Sequence, residues 1–247
     1  MNLNEYAKMA DFEKKYWWHK GKLYLLKSLI TKYFPARTDL TILEVGCGTG
    51  EVTQFLAQFG TVTGFDVSTE AIAFCKNSGV NNVFVADLTA ADLSLQAKRY
   101  DLVVALDVLE HVQDDVLAMA NVKKLLKDTG YFFVNVPAHK FLWSEHDEAL
   151  HHKRRYHSLE ITKKLKDAGF KIIKKSYFVT LVFPGIVFFR MWNNFFGKSA
   201  YPKTSYVVLP DMLNNLLIQI LKLEANFVKN FSLPIGTTIT VVATKDD

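Results

Sequence analysis

The fold is decided by the stretch Thr41-Ile-Leu-Glu44-Val-Gly46-Cys47-Gly48-Thr-Gly50, which a helical pattern follows from Glu51 to Gln58. A β-branched and apolar run ends there in three glycines at alternate positions, directly before a helix. Glycine permits positive φ and a close approach of ligand to backbone, and a helix N-terminus offers unpaired N–H groups. The stretch therefore predicts a strand, a turn and a helix that together bind a nucleotide-type ligand.

The spacing of these glycines separates the site from two common nucleotide sites. A dinucleotide fingerprint needs G-x-G-x-x-G, and a phosphate loop needs a lysine followed by serine or threonine. The present pattern is E-x-G-x-G-x-G, and Glu44 at the strand end would repel phosphate but suits an ammonium or sulfonium group. Asp66 closes the next strand about 20 residues later, where a ribose-hydroxyl acceptor is expected. Asp87 closes the strand after that.

With these residues the chain resembles the class I S-adenosylmethionine (SAM)-dependent methyltransferases. The resemblance rests on E-V-G-C-G-T-G, on G-F-D-V-S and A-D-L around the two aspartates, and on D-V-L-E-H at 107–111. It covers roughly residues 40–175, and implies SAM as cofactor and S-adenosylhomocysteine as product. The cofactor-binding residues that it implies are Glu44, Gly46, Cys47, Gly48, Gly50, Asp66, Val67, Asp87, Leu88, Leu106, Asp107 and His111.

The fold expected is an α/β, doubly wound, mostly parallel seven-stranded Rossmann-like sheet, and the resemblance implies the strand order 3-2-1-4-5-7-6. Alternating strand and helix patterns over 40–176 favour a parallel sheet. Strands are predicted near 41–46, 61–66, 82–86, 100–106, 130–136, 170–178 and 237–244. Helices are predicted over 5–34 as one helical segment and near 51–58, 69–77, 113–127 and 158–168.

Composition limits the partners. The net charge of +5 favours an anionic partner such as a phosphorylated substrate or a membrane surface. No nucleic-acid motif is visible, and 107–111 lacks the prolines of base N-methylating enzymes, so no nucleic-acid partner is expected. The two cysteines form no disulfide or metal pattern, and the start of the chain has no signal-peptide pattern, which predicts a cytoplasmic protein. Oligomeric state stays open.

Five of the seven histidines lie between residues 138 and 157. One interpretation is a solvated basic loop; the other is a substrate rim in which arginines hold an anionic group and a histidine takes a proton. No clear ligand spacing supports a metal, so no metal site is predicted. The catalytic candidates are His146, His151, His152 and, as a general base or a residue that shields SAM, His111. The substrate-binding candidates are Trp17, Trp18, His139, Trp143, Arg154, Arg155 and Tyr156.

The aromatic segment Phe12–His19 and the H-x-x-R-R-Y arrangement at 151–156 are similar to a bacterial subgroup of these methyltransferases. That subgroup is associated with cell-surface polysaccharide and lipid pathways, and the Trp-Trp pair is also similar to ubiquinone-pathway O-methyltransferases. By resemblance, residues 1–38 form a helical lid over SAM and substrate. An amphipathic helix packed on the domain is the compatible alternative.

Residues 179–235 separate the last two predicted strands, so the SAM-binding core is expected to comprise 39–178 and 236–247. The insertion contains the uncharged run Ser176–Phe189, in which Pro184-Gly185 is expected to break or kink a helix, and a second apolar helix at Leu213–Leu221. Neither run reaches the ~18–20 residues of a membrane span. Its basic residues are Arg190, Lys198, Lys203, Lys222 and Lys229. Three roles of the insertion stay open. It could dock on an anionic membrane, it could form either a cap over a soluble aromatic substrate or a dimer contact, or it could simply extend the core.

The function predicted is methyl transfer from SAM to an oxygen of a lipid-linked or amphiphilic, anionic acceptor, by a cytoplasmic protein with peripheral membrane association. The nearest enzyme alternative is a soluble small-molecule methyltransferase acting on a phenol or a sugar. A SAM-binding, non-catalytic subunit of a membrane assembly and a transfer of a group other than methyl also stay open.

Overall fold

The computed structural model describes residues 3–90, 99–196 and 209–246. Within them, seven strands form one sheet in the order β3-β2-β1-β4-β5-β7-β6, which confirms the predicted order. The strands are β1 Leu40–Val45, β2 Gly60–Asp66, β3 Val83–Val85, β4 Tyr100–Leu106, β5 Leu126–Pro137, β6 Phe170–Phe178 and β7 Thr238–Lys245.

The first five strands are parallel, and β7 lies antiparallel between β5 and β6. Val45 pairs with Phe65 on one side and with Ala105 on the other. Because the three strands share this register, the residues that follow them come out at the same carboxyl edge of the sheet. That edge is where open α/β sheets bind their ligands.

Nine α-helices surround the sheet in the described residues. They are α1 Leu3–Glu13, α2 Trp17–Tyr33, α3 Glu51–Leu56, α4 Thr69–Asn77, α5 Asp115–Leu125, α6 Glu145–Ala149, α7 Ser158–Asp167, α8 Phe183–Phe196 and α9 Asp211–Asn230. The single helical segment predicted over 5–34 is two helices with a break at 14–16. The helix predicted over 113–127 is shorter, because Leu126 already pairs with Tyr100 and begins β5.

Alternate residues of each central strand face different helix layers. Val103 and Ala105 of β4 belong to a core with α5 and α7, whereas Leu102 and Val104 belong to a core with α2 and α9. This is the two-residue period of a strand that is buried on both faces. The N-terminal helix α2 and the insertion therefore share one core: α2 packs on α9, where Gly21 leaves room for the Leu221 side chain.

The apolar run at 176–189 is divided between two elements rather than forming one kinked helix. Its first residues complete β6, and Pro184 lies in the first turn of α8, where a proline is tolerated because that N–H has no helical partner. The buried Glu224 of α9 accepts the backbone N–H groups of Thr180 and Leu181, at 2.9 to 3.1 Å, just before α8. No helix among the described residues is long and apolar enough to cross a membrane.

Candidate functional site

The glycine turn after β1 has the backbone that its sequence predicts. Gly46, Gly48 and Gly50 all have positive φ, and Gly50 is the N-cap of α3. A Cβ on Gly46 would lie 2.7 Å from Val108 Cγ2, so a side chain at that position is excluded by contact as well as by φ. The N–H groups of Gly46 and Cys47 both donate to Phe65 O, and these hydrogen bonds hold the turn against β2.

Asp66 lies at the end of β2 with its carboxylate held against this turn. Its Oδ2 accepts the Gly48 N–H at 3.0 Å and its Oδ1 accepts the Ser68 N–H at 2.9 Å. Two N–H donors fix the side chain at the carboxyl edge and leave further lone pairs on both oxygens for hydroxyl donors. The next residue, Val67, is exposed.

The remaining residues of the predicted cofactor site differ in exposure. Asp87 is exposed and is held by the Thr89 N–H and hydroxyl, at 2.8 and 2.7 Å. Leu88 is buried in the core, and its carbonyl accepts Asn121 Nδ2 at 3.1 Å. Glu44 is buried and accepts the Thr53 hydroxyl, so it links β1 to α3. Burial raises the pKa of Glu44 to about 8.

The first two helices reach this edge of the sheet through polar contacts. The Thr49 hydroxyl of the turn donates to Glu13 at the end of α1. Lys22 Nζ of α2 lies 2.9 Å from Asp107 Oδ2. Asp107 has positive φ (57°), a strained conformation for a non-glycine residue that recurs at functional sites. Sequence reasoning missed Glu13 and Lys22, because helical periodicity does not indicate which polar residue faces a distant loop.

Glu110 is fully buried, and neither of its carboxylate oxygens has a hydrogen-bond partner among the described residues. Burial and the neighbouring Asp107 raise its pKa well above the usual range. One ligand atom from each of Glu110, His111 and His152 lies within 4.8 Å of the others. The sequence predicted no metal site, but the fold brings these residues together, and they can hold a metal ion.

The hydrogen bonding of His152 is compatible with binding of a metal ion. Its Nδ1 lies 2.9 Å from Asp147 Oδ1, which leaves Nε2 available. A carboxylate that fixes the other ring nitrogen is the usual partner of a metal-binding histidine. The His111 ring stands edge-on to the His152 ring at 4.7 Å. Desolvation and the neighbouring His152 lower the pKa of His111 to about 4.

The arginines predicted to hold an anionic substrate group have protein partners instead. Arg155 is 3% exposed; it donates to Asp147 Oδ1 at 2.7 Å and to Ala138 O at 3.0 Å. Arg154 pairs with Asp115 at 3.1 Å and donates to Gln113 O. The rim prediction is wrong for Arg155, because its guanidinium is needed to balance the fully buried Asp147.

Tyr156 is likewise a core residue and not a substrate contact. It is fully buried, and its hydroxyl donates to Asp115 Oδ2 at 2.7 Å. Burial, and the hydrogen bond to that carboxylate, raise its pKa. Asp115 also receives Lys164 Nζ at 2.6 Å, so it is balanced by several donors.

The other candidates lie at different depths. Trp17 is buried and Trp18 is half-buried on α2. His139 has positive φ and stacks on Tyr177 at 5.2 Å. Trp143 is half-buried, and His151 is exposed with positive φ. His146 lies within electrostatic reach of Arg190 and Asp147, and desolvation followed by Arg190 lowers its pKa to about 4.

Comparisons with known proteins agree with this geometry. The family model described as "Methyltransferase domain" matches residues 17–175. A ubiquinone biosynthesis O-methyltransferase of Coxiella burnetii is 30% identical over 143 residues, which are 54% of this chain and 61% of that protein. One from Haemophilus ducreyi is 29% identical over 151 residues, or 55% and 64%. The chain thus spans less than two thirds of the length of these relatives.

Solved structures share the fold at low identity. A SAM-dependent methyltransferase from Clostridium acetobutylicum superposes with a TM-score of 0.58, at 13% identity and 99% coverage of both chains. A plantazolicin methyltransferase in complex with S-adenosylhomocysteine gives 0.61 at 16% identity, covering 98% of this chain and 89% of that one. With the turn, Asp66 and the strand order in place, the chain belongs to the methyltransferase domain family, as a class I member whose cofactor is SAM.

Proposed function

We propose that this protein transfers the methyl group of SAM to an oxygen of an amphiphilic acceptor. The observation that carries the proposal is the edge where β1, β2 and β4 end together, because the glycine turn, the fixed Asp66 carboxylate and Asp107 all lie at this edge. Asp66 is proposed to accept both ribose hydroxyls, and the turn to hold the methionine part. Asp87 is proposed to contact the adenine, and Leu106 and Asp107 to lie beneath the sulfonium.

The protein's contribution is mainly alignment of the reacting groups. SAM supplies the activated methyl group. The oxygen, the methyl carbon and the sulfur must be in line at near-attack distance with water excluded. We propose that residues 1–38 form the lid that excludes water, which Glu13 and Lys22 support because both meet the site from α1 and α2. The names of the ubiquinone biosynthesis relatives favour oxygen as the acceptor atom.

The function is tested with methyl-labelled SAM, the purified protein and an extract of the source organism, which is then partitioned. We expect label in the organic phase. Asp66→Ala should weaken SAM binding by about 1–3 kcal/mol, the cost of losing a charged hydrogen-bond partner. The exposed Asp128, replaced by alanine, is the matched control and should bind SAM as the native chain does.

The other outcomes identify the alternatives. Label confined to the aqueous phase would indicate a soluble phenol or sugar acceptor. SAM binding without any labelled product would indicate a non-catalytic subunit. Mass analysis of the product would reveal transfer of a group other than methyl. Native SAM affinity in Asp66→Ala would overturn the ribose role.

The amphiphilic character of the acceptor is supported by an apolar face on the insertion. Large apolar side chains of this face are exposed to solvent on both α8 and α9. Its members are Phe188, Met191, Trp192, Met212, Leu213, Leu216, Leu223 and Phe227. Large apolar side chains exposed in this number on two helices indicate an interaction site.

We propose that the occupant of this apolar face is an anionic membrane. The exposed Lys15 and Lys222 lie at α9: the Lys15 carbonyl accepts Asn214 Nδ2, and Lys222 is on α9 itself. Arg190 is not available to lipid, because it donates to Leu142 O and pairs with Asp147. Lys198 and Lys203 lie outside the described residues. Apolar side chains flanked by lysines suit an interface with anionic headgroups.

Co-sedimentation with lipid vesicles measures whether the protein binds an anionic membrane. Binding should require anionic phospholipid and weaken with salt. The double substitution Phe188→Glu and Trp192→Glu should abolish it, whereas Leu159→Glu, at an exposed apolar position on α7, should bind like the native chain. Salt-independent binding, no binding, or a dimer that the double substitution dissociates would refute the membrane assignment.

We also propose that Glu110, His111 and His152 hold a divalent cation. Two observations support it: the buried Glu110 carboxyl has no hydrogen-bond partner in the residues that the structure describes, and His152 is hydrogen-bonded to Asp147. A cation there would polarise an acceptor hydroxyl and make its oxygen a better nucleophile.

A further inference from the structure

The fold brings the two cysteines of the chain together beneath the glycine turn. Cys47 belongs to the turn and Cys75 to the last turn of α4, and the two residues are 4% and 0% exposed. Cys75 Sγ donates to Gly48 O at 3.3 Å. The Cys47 thiol in turn donates to Cys75 Sγ. The sequence shows no disulfide pattern, because this contact joins residues that are far apart in the chain.

Glycines leave the space that the two sulfur atoms fill. A Cβ on Gly64 of β2 would lie 3.4 Å from Cys47 Sγ, and a Cβ on Gly50 would lie 3.0 Å from Cys75 Sγ. Both cysteines belong to one small apolar cluster, which also contains Ile72, Val80 and Val83. The two thiols are therefore packed against each other between β2, α4 and the glycine turn.

The contact of Cys75 with the turn reaches a residue of the cofactor site. The carbonyl of Gly48 accepts the Cys75 thiol, and the N–H of Gly48 donates to Asp66 Oδ2 at 3.0 Å. Gly48 is thus held from both sides, by α4 and by the carboxylate proposed to accept the ribose hydroxyls. A chemical change at Cys75 Sγ acts directly on the backbone that positions Asp66.

The two thiols differ in acidity. The hydrogen bond from Cys47 lowers the pKa of Cys75, against the effect of burial. The same hydrogen bond and burial raise the pKa of Cys47. Because the thiolate is the form that attacks a disulfide, Cys75 is the sulfur that reacts first, and Cys47 is placed to resolve the product. Burial means that an oxidant reaches the pair only when the turn opens.

We propose that Cys47 and Cys75 form a reversible thiol–disulfide site, and that its oxidation lowers the affinity of the glycine turn for SAM. The oxidant is a low-molecular-weight disulfide. The Cys75 thiolate attacks one of its sulfurs and displaces one small thiolate; Cys47 then attacks Cys75 Sγ and displaces the second. The protons of the two cysteines end on these two thiolates, so one disulfide is reduced as another forms.

The loss of affinity follows from the geometry of a disulfide. Its sulfurs are about 2.0 Å apart, closer than two hydrogen-bonded thiols, so its formation draws the turn toward α4. It also removes the S–H group that donates to Gly48 O. The inference goes beyond methyl transfer, and it rests on the proposed place of the methionine part of SAM in the turn.

The test treats the native chain with oxidised glutathione. We expect a protein whose mass is lower by two hydrogens and which has no free thiol. Calorimetry should show that its affinity for S-adenosylhomocysteine falls about 2- to 10-fold, the effect of losing one hydrogen bond, and that dithiothreitol restores it. Saturating S-adenosylhomocysteine should slow the oxidation, because a bound cofactor holds the turn closed. Circular dichroism checks that both forms are folded.

Two variants separate the disulfide from the hydrogen bond. Cys75→Ala should weaken S-adenosylhomocysteine binding without any oxidant, and Cys75→Ser, which keeps a donor for Gly48 O, should restore part of the loss. Neither variant should respond to oxidised glutathione.

Three results would overturn the inference: two thiols that stay free, glutathione attached to one cysteine as the sole product, or a disulfide that leaves cofactor affinity unchanged. If the reduced native chain does not bind S-adenosylhomocysteine, the proposed cofactor role of the turn fails with the inference. A disulfide without an affinity change removes the inference alone.

Discussion

Replacing Asp147 by alanine should lower the free energy of unfolding by about 3–5 kcal/mol, the cost of leaving buried charges without a partner. Its carboxylate is fully buried and accepts Arg155 Nε at 2.7 Å and His152 Nδ1 at 2.9 Å. Arg190 of α8 lies 3.3 Å from it. The substitution would leave two guanidinium groups close together in a low-dielectric interior, and Arg190 would keep only its hydrogen bond to Leu142 O.

Urea denaturation measures this loss. Asp167→Ala is the matched control, because it breaks an exposed ion pair with Lys163 and should change stability by no more than about 1 kcal/mol. Hydrogen bonding to His152 and the charge of Arg155 hold the pKa of Asp147 below its ordinary value, despite the opposing effect of burial. Because the folded-state pKa is lowered, the stabilisation is present above about pH 4, the unfolded value, and is lost as the pH falls further.

The difference between the native chain and Asp147→Ala should therefore shrink on acidification below about pH 4. Equal stability of Asp147→Ala and Asp167→Ala at neutral pH would contradict the assignment. So would a difference that does not depend on pH.

Replacing Glu110 by glutamine or His152 by alanine should abolish divalent-cation binding. The loss should exceed the roughly 10- to 100-fold that removing the hydrogen-bond partner of a ligand costs, because each variant lacks one of the three ligand atoms. Calorimetry with Mg²⁺, Mn²⁺ and Zn²⁺ on chelator-treated protein measures the affinity. Labelled-methyl transfer with and without added cation measures whether the site assists the reaction.

Glu148→Gln makes the same chemical change on the exposed side of α6 and should leave cation affinity unchanged. Unaltered cation binding in Glu110→Gln would show that the group is no metal site. Glu110 would then be a buried, protonated acid, and the glutamine variant should be as stable as the native chain, because a neutral amide replaces a neutral carboxyl.

The parts of the fold that the sequence alone predicted are determined by residues close together in the chain. The turn at 46–50 needs positive φ, which glycine supplies, and the acid at 66 ends a strand whose β-branched pattern marks its length. Element boundaries were less accurate where two patterns meet. The residues after Lys124 suit a helix end, yet Leu126 pairs with Tyr100, because hydrogen bonding to a neighbouring strand overrides local helix propensity.

The histidine and arginine stretch shows the opposite case. Its composition indicates a basic surface, and nothing within it reveals that Asp147 is buried and draws in Arg155 from eight residues away and Arg190 from 43. Likewise, nothing in the sequence around Glu110 reveals that its carboxyl lies close to the His152 ring. An isolated buried charge costs free energy, so a buried charged side chain is paired with an opposite charge in the folded protein. The spacing of charged residues in the sequence does not show which of them form these pairs.

The sequence by itself determined the strand order of the sheet through its resemblance, the glycine turn, and the acids at or next to the ends of β1, β2 and β4 in this protein. These features depend on backbone conformation and two-residue periodicity, which neighbouring residues encode. Only the tertiary structure decided that Lys22 faces Asp107, 85 residues away, that the Glu110 carboxyl has no hydrogen-bond partner within the described part of the chain, and that α8 and α9 expose large apolar side chains. Such contacts depend on how helices pack across the sheet, and packing assigns each side chain its neighbour and its exposure to solvent.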